Sequence, residues 1–599
     1  MNTRQDVCIC DTFMISGYLP TLAPAVLKTA LNKNGFRTKV FYPSMHFFQK
    51  YDLAKKKDFM RLVDDIPLQI VDFLFSKKND TDLEAELARQ LTMHTMSEEW
   101  MPALFDLRNK AQEQLRLTVQ EICACEPIAL CASLTFGGYN FFSSLFSEIK
   151  NIAPDIRIIV GGSNCTPDFS QHLLAEIRDM DYVLCEEGTQ TLVELISSIK
   201  QQKEYHSIYV SSKSHTATDC RSLKDLEETE CPDFDDYFDT ARMLGLPLHQ
   251  LTLPYEISRG CWWCEKKPCV MCGFYGIRHQ YISKSQKKVY EDLRSIKEKY
   301  GVHKFRFTDL VQPPKSYLKA LHTDRFPEMN IFWELRPDID EESIIIMKEL
   351  GLTFAQIGLE NLHTHCLKKM NKGTTGIYNI YLLLLAQKYK IDLIWNYLYG
   401  FPWDESEWYE SVLELIPLIY HLQPPIPRKV WINQYSDWYE YRQNTKTTPG
   451  AGFLDFEHDS FHTFFETISS SVENKQAYEQ LISMIGQWHE KQKENYSLYI
   501  DHWDTESLCI VRAFETKEIF TLTGLEKEIY LIFQKPMSIQ AGLSRLANVK
   551  EKQMKEILGD LIQKKIMVYW DDEYLSLAVG HSPYRWISLK DQVMYMEEL

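Results

Sequence analysis

Along residues 1–215, short unbroken apolar runs alternate with longer stretches of helical periodicity. The runs are VCICDTF from Val7, TKVFYP from Thr38, IALCASLT from Ile128, IRIIVGG from Ile156 and YVLCEE from Tyr182. Helical patterns fill 22–34, the stretch from Asn140, 168–177 and the stretch from Thr189, and residues 44–120 read as a mainly helical insertion. An apolar run without polar alternation is buried on both faces, which predicts a parallel sheet covered by helices on either side. Such sheets bind ligands beyond the carboxyl ends of their strands. Tight turns lie there: Ser133 to Gly138 with the Gly137-Gly138 pair, then Gly161-Gly162, then Glu187-Gly188-Thr189.

Residues 211–240 are polar and read as a linker. A second strand–helix series follows, with strands expected at 254–259, 304–309, 331–336, 354–359, 392–399 and 429–435. Six such units predict an incomplete barrel rather than a closed one of eight. Residues 436–500 are aromatic-rich and then helical from Asn474 to Asn495. Near the end, LTGLEKEIYLIF, SIQAGLSRLA and KEKQMKEILGDLIQKK read as three amphipathic helices, and MVYWDDEYLSLAV as a hairpin across Asp571-Asp572. That is a winged-helix pattern. The expected class is α/β, divided into a Rossmann-like domain (1–215), a partial (β/α)6 barrel (216–440), a helical linker region (441–509) and a winged-helix-like domain (510–599).

Composition narrows the function classes. The 599 residues are 45% hydrophobic and 25% charged, with a net charge of −17. This is ordinary globular composition, and its acidity argues against a nucleic-acid partner, whose binder would be basic. The N-terminus shows no apolar signal segment. The longest apolar stretch, from Ile380, is far short of a membrane span. A cytoplasmic location without a membrane partner is expected. Among 15 cysteines, Cys8, Cys10, Cys131, Cys165 and Cys185 sit singly in apolar runs and read as small buried hydrophobes.

Four others fall together directly after the first expected barrel strand: Cys261, Cys264, Cys269 and Cys272, in SRGCWWCEKKPCVMCGFYG. Four thiols could hold zinc, but zinc modules usually separate their cysteine pairs by longer stretches. Core packing is a poor account of four thiols in a glycine-bounded loop. An iron–sulfur cluster suits a close-spaced thiolate loop, and the carboxyl mouth of a barrel is where such folds place chemistry.

This loop resembles that of the cobalamin-dependent radical SAM (S-adenosylmethionine) proteins that mature ribosomally made peptides. Further motifs resemble the same family in order: PDFDDYF (232–238), FTDL (307–310), WELR (333–336), QIGLE (356–360), MNKGTT (370–375), WNYLYGFP (395–402) and LSLAV (575–579). The family's C-x7-C-x2-C spacing selects Cys261, Cys269 and Cys272 as ligands of a [4Fe–4S] cluster, and Cys264 stands where the family usually has glycine. The resemblance implies that Gly273, Glu334, Arg336, Gly358 and Glu360 face SAM, and that Asn396 and Tyr397 are candidate pocket residues. The acids and Arg336 read equally as ion-paired barrel residues, and Tyr397 as a core aromatic.

The same resemblance makes the N-terminal cofactor cobalamin, lined by Ser133, Thr135, Gly137, Gly138, Gly161, Gly162, Glu187, Gly188 and Thr189. The D-x-H-x-x-G string of many cobalamin proteins is absent, and His46, His94, His172 and His206 lack its context, so no protein histidine is expected on cobalt. The family's chemistry is reductive cleavage of SAM, hydrogen abstraction from an unactivated carbon and methyl delivery from cobalamin; polar methylation or cyclisation occurs in relatives. The implied partners are a precursor peptide and an electron donor such as flavodoxin or ferredoxin. A small natural-product substrate and a cluster-based winged-helix regulator are the alternatives. Across 523–579 the basic and acidic residues balance, which is poor for DNA. Peptide docking on the wing edge or plain packing is expected instead.

Overall fold

A computed structural model describes residues 4–13, 18–51, 67–93, 98–134, 138–163, 165–185, 187–203, 209–211, 225–273, 280–322, 328–433, 436–439, 447–449, 453–456, 464–467 and 472–580. Thr135, Gly137, His94, His206 and Phe274 to Gly276 lie outside them.

The first sheet contains β1 (Val7–Cys10), β2 (Thr38–Phe41), β3 (Ala129–Ser133), β4 (Arg157–Gly161), β5 (Tyr182–Leu184) and β6 (Tyr209–Ser211), in the order β2-β1-β3-β4-β5-β6. All neighbours are parallel except β5 and β6. Alternate residues serve opposite faces, as strand geometry requires. Val7, Ile9, Ala129, Cys131 and Ile159 share a core with helices Leu22–Lys33 and Gly188–Lys200. Cys8, Cys10, Leu130, Ala132, Ile158 and Val160 share another with Tyr139–Ile152, Pro167–Glu176 and the inserted helices Pro67–Phe75 and Met101–Cys123. Both faces are therefore dry, which explains the unbroken apolar runs. The strand order reverses between β1 and β3, and that switch point is where doubly wound sheets form their ligand crevice.

The second series has β7 (Thr252–Tyr255), a short hairpin of β8 (Ser258–Arg259) and β9 (Ile282–Ser283), then β10 (Lys304–Phe307), β11 (Asn330–Leu335), β12 (Leu352–Ile357), β13 (Asp392–Ile394), β14 (Asn396–Tyr399) and β15 (Ile426–Lys429). Strands β7, β10, β11, β12 and β13 form one parallel sheet, and β14 pairs in parallel with β15. Since β13 and β14 are separated by Trp395 alone, they act as one bent strand, and the barrel has six staves. Five of the expected strands overlap these, 392–399 without offset; the sixth, 429–435, meets β15 only at Lys429 and otherwise covers Trp431–Asn433, which pairs in a separate antiparallel sheet. Phe305, Phe307, Trp333, Leu335, Ala355 and Ile357 pack outward with the helices. Phe332, Phe354 and Ile394 form a small separate core on the alternate positions, with Arg306 4.6 Å over Phe332.

Beyond the barrel, helix Val472–Lys493 leads into an antiparallel sheet of Ser497–Trp503, Ser507–Ala513 and Lys517–Thr523. The sequence reading missed this sheet and divided the chain at 509/510, inside its middle strand; there is no break at that point. Its two outer strands leave many side chains exposed, so only the middle strand carries a continuous apolar run. Three helices follow, Gly524–Ile532, Ile539–Leu543 and Glu551–Gln563, and then the hairpin Met567–Trp570 and Glu573–Ser576. Asp571 and Asp572 both have positive φ, 53° and 61°, the two-residue turn whose twist suits a tight hairpin. No helix among the described residues is long and apolar enough to cross a membrane.

Candidate active site at the barrel mouth

The cysteine loop leaves β8 and returns through β9, so a two-residue ladder anchors both ends (Ser258 with Ser283, Arg259 with Ile282). Gly260 has φ +80° and a side chain there would stand 2.4 Å from the Gln280 carbonyl, so only glycine lets the two arms approach. Asp309, buried after β10, accepts hydrogen bonds from the Ser258 backbone and hydroxyl and fixes the start of the loop.

From there the loop is stitched to the ends of four barrel strands. After β10, the Gln312 carbonyl accepts from Trp262 Nε1 at 2.9 Å. After β11, Arg336 donates to the Cys269 sulfur at 3.8 Å and to the Lys372 carbonyl at 2.6 Å, while Asp338 accepts from its Nε at 2.8 Å. After β12, the Asn371 carbonyl accepts from Trp263 Nε1 at 3.1 Å and the Met370 carbonyl from Val270 N at 3.2 Å. After β15, Asn433 Nδ2 donates to the Met271 carbonyl at 2.8 Å. All four cysteines are half-buried free thiols. Burial, and then the thiols of Cys261, Cys272 and Cys269, push the Cys264 thiol up to about 12. Among the described residues they are not drawn into a closed metal-holding set. Their fit to an iron–sulfur cluster is one of donor chemistry: four soft sulfur donors in one loop, with Cys269 accepting from the Arg336 guanidinium.

Beside the loop, Lys372 Nζ donates to Glu360 Oε1 at 2.7 Å, and both are buried or nearly so. Burial alone would lower the lysine pKa, but the Glu360 carboxylate outweighs it and holds the lysine charged. Glu360 adopts φ +64°, and its backbone pairs with Tyr397 across to β14. A side chain on Gly358 would stand 2.7 Å from Lys372 Nζ. Glu334 lies on the inner face of β11, where burial raises its pKa and Arg306 partly offsets this. Lys372 lies in the MNKGTT stretch but had no role assigned from the sequence, and Arg306 was not singled out, since an arginine inside an apolar strand carries no spacing signal.

Tyr397 is 1% exposed and its hydroxyl donates to Asn361 Oδ1 at 3.0 Å, so of its two readings the core aromatic holds. Asn396, its neighbour on β14, is half-buried. Glu187 does not stand open on the rim of the first sheet: it caps helix Gly188–Lys200 through Thr189 and pairs with Arg259 of β8.

On that rim, Thr12 Oγ1 donates to the Ser133 carbonyl at 3.0 Å and Asp11 accepts from Thr12 N at 2.8 Å, which closes the base of the switch point. Gly138 has φ +77° with only Thr12 within reach of a Cβ, and Gly161 and Gly188 have room around them. Gly162 differs, since a Cβ there would strike the Leu134 backbone at 2.3 Å. Ser163, next along, holds a buried hydroxyl oxygen without a hydrogen-bond partner. A rim of small residues with an unsatisfied hydroxyl fits a large cofactor. Ser163 was not singled out from the sequence because the glycines before it carried the turn signal.

Residues 255–416 match the Radical SAM superfamily. An uncharacterised methyltransferase of Pyrococcus horikoshii is 23% identical over 280 residues, 44% of this chain and 58% of the relative. The match thus spans little more than half of that protein's length. Over the whole fold, the radical SAM methyltransferase TsrM from Kitasatospora setae, solved with cobalamin and a [4Fe–4S] cluster bound, superposes with a TM-score of 0.53 at 11% identity, covering 80% of this chain and 91% of that one. The cobalamin-dependent SAM radical enzyme OxsB, solved with aqua-cobalamin and SAM bound, gives 0.52 at 13% identity, covering 94% and 71%. The fold is the one these proteins share: a Rossmann-like sheet joined to a radical SAM partial barrel.

Proposed function

We propose that this protein is a cobalamin-dependent radical SAM methyltransferase that transfers a methyl group to a carbon of a peptide. One observation carries the reading: a loop with four thiols closes the mouth of a six-staved barrel and is tied to the carboxyl rim of a doubly wound sheet. The likeness to TsrM and OxsB spans both halves and supports the same pairing. In this reading Cys261, Cys269 and Cys272 hold the [4Fe–4S] cluster, and the rim at Ser133, Gly138, Gly161 and Ser163 holds cobalamin.

The bound cofactors supply one-electron cleavage of SAM and a transferable methyl group. The chain supplies the surroundings. Arg336 keeps positive charge beside the Cys269 sulfur, and its bond to the Lys372 carbonyl orders the loop after β12. Gly358, without a side chain, leaves the strand end open beside the Lys372–Glu360 pair, where the amino and carboxylate groups of SAM would find partners of opposite charge. Met271 of the loop packs with Phe401, Trp408 and Trp438, which makes that side of the loop apolar. A one-electron carrier such as flavodoxin or ferredoxin completes the reading.

A second reading, a free amino acid or similar small substrate, is favoured by the wing. The hairpin tip is engaged by the barrel's own loop and helix start: Asp571 accepts from Thr364 Oγ1 at 2.6 Å and Ile377 N at 3.0 Å, and Trp570 Nε1 donates to the Leu362 carbonyl at 3.0 Å. The outer edge of Glu573–Ser576 is bridged by Met537. TsrM, moreover, has been solved with tryptophan bound as substrate.

The deciding experiment is anaerobic reconstitution with iron, sulfide and cobalamin, followed by incubation with SAM carrying a labelled methyl group. Mass spectrometry is expected to find one labelled methyl on a peptide side-chain carbon. Label confined to free amino acids supports the second reading, and zinc in place of iron rejects both.

A further inference from the structure

Arg259 lies two residues before Cys261, and its guanidinium faces two carboxylates at once. Nε and one terminal nitrogen grip Glu256 at 2.6 and 3.0 Å, while the other terminal nitrogen reaches Glu187. Glu187 in turn divides its two oxygens. Oε1 accepts from Thr189 N at 3.2 Å and its hydroxyl at 2.5 Å, which starts helix Gly188–Lys200; Oε2 takes Arg259. The side chains are 29% and 11% exposed, so water competes little for the pair. One planar fork thus joins the carboxyl rim of the first sheet to the base of the cysteine loop, some 70 residues away in sequence (|i−j| = 72). Fork geometry is what arginine offers and lysine lacks.

We propose that Arg259 and Glu187 are positioning residues that hold the N-terminal cofactor rim in register with the cysteine loop. This rests on the reading of cobalamin on that rim and a cluster in that loop. Neither residue is assigned contact with a cofactor. Each acts through what it anchors: Glu187 through the helix start beside the rim, Arg259 through the strand that launches Cys261. A methyl donor and a radical generated on separate domains must meet at one carbon, and misplacement by about 1 Å costs on the order of 100-fold in such steps.

The test uses holoenzyme and two variants. Glu187→Gln keeps an acceptor for Thr189 and loses the charge; Arg259→Lys keeps the charge and loses the fork. Both are expected to retain iron and cobalamin. Pulsed dipolar electron paramagnetic resonance between cob(II)alamin and the reduced cluster should show one narrow separation in wild type and a broadened one in each variant. With substrate, 5′-deoxyadenosine released per methyl transferred should rise by about tenfold. A merely structural pair would lower the melting temperature and leave both readouts unchanged. Variants with the wild-type dipolar distribution and product ratio overturn the proposal. If Arg259→Lys fails to fold, Glu187→Gln alone decides. Wild-type protein that takes up no cobalamin rejects the functional reading itself, and this is seen before any variant is made.

Discussion

The Arg336 guanidinium carbon stands 4.2 Å from the centroid of the Trp263 ring, so the first turn of the cysteine loop rests on a side chain from the end of β11. Neither residue is placed by its own element. Arg336 is held by Asp338 and by the Lys372 carbonyl, and Trp263 by the Asn371 carbonyl. The loop is thus built against the segment 371–373, which packs under the indole.

Gly373 is the closest part of that support. It has φ +81°, and a Cβ there would lie 2.3 Å from the far edge of the Trp263 ring. Gly373→Ala should therefore displace the indole and break both its hydrogen bond and its cation–π contact. The strained backbone adds about 1 kcal/mol to that loss. The expected result is a red shift and loss of tryptophan fluorescence intensity, together with weaker iron retention on gel filtration. Unchanged emission and iron would mean that the loop does not rest on this glycine.

Of the four loop thiols, Cys269 carries the clearest contacts outside its own loop, with Arg336 and the Asn371 carbonyl, each at 3.8 Å. The charges and dipoles acting on Cys264 come from the other three thiols and from Asp437. Cys269→Ala should lose the cluster on anaerobic reconstitution, and Cys264→Ala should keep about four irons per chain. The reverse pattern in iron analysis and visible absorption would reassign the ligands.

Much of this was legible in the sequence for a physical reason. Strands β1, β3 and β4 are buried on both faces and so read as unbroken apolar runs, and Asp571-Asp572 announced a turn that needs positive φ twice. What sequence could not tell was which partner a polar residue meets. Glu187 at a strand end looks the same whether it faces a ligand or Arg259. Lys372 and Glu360 are twelve residues apart and become a pair only because the chain folds back across Gly358. The three-stranded sheet at 497–523 was missed because exposed side chains interrupt the pattern of its two outer strands, which leaves the middle run isolated.

Asp72 supplies a pH dependence. Its carboxylate faces the start of helix Tyr139–Ile152, accepting from Asn140 N at 3.2 Å, yet burial raises its pKa from 3.8 to about 7. Above about pH 4 the unfolded chain has released this proton, while the folded chain keeps it until about pH 7. Raising pH through that window therefore favours unfolding. Asp72→Asn keeps an acceptor for the helix and removes the titration. Urea denaturation should show wild type losing stability relative to the variant from pH 4 to pH 7 by a few kcal/mol, and a constant difference above. A difference that does not change with pH would show that Asp72 ionises freely in the folded state.

The C-terminal hairpin changes the expectation for truncation. Read as a peptide-docking wing, residues 510–599 could be removed with more effect on substrate capture than on turnover. In the fold, Asp571 accepts hydrogen bonds from Thr364 and from Ile377 N at the start of helix Gly376–Tyr389, and Gly376 N donates to the same Thr364 hydroxyl at 2.8 Å. Trp570 closes over Gly376, where an added Cβ would stand 2.6 Å from its indole nitrogen. The hairpin therefore caps a barrel helix and braces the loop that begins at Gly358 and carries Glu360. Asp571→Ala removes the acceptor from the Ile377 N–H and the Thr364 hydroxyl and should cost about 2 kcal/mol, at the upper end for a helix cap. Truncation before Gly524, which leaves the three-stranded sheet whole, should cost more, because it bares Leu362 and the helix start together. Differential scanning fluorimetry should show lower melting temperatures in that order, and SAM affinity should weaken with them because Glu360 moves with the loop. A truncated protein that melts like the full chain and binds SAM equally well would return the wing to the role of an independent docking module.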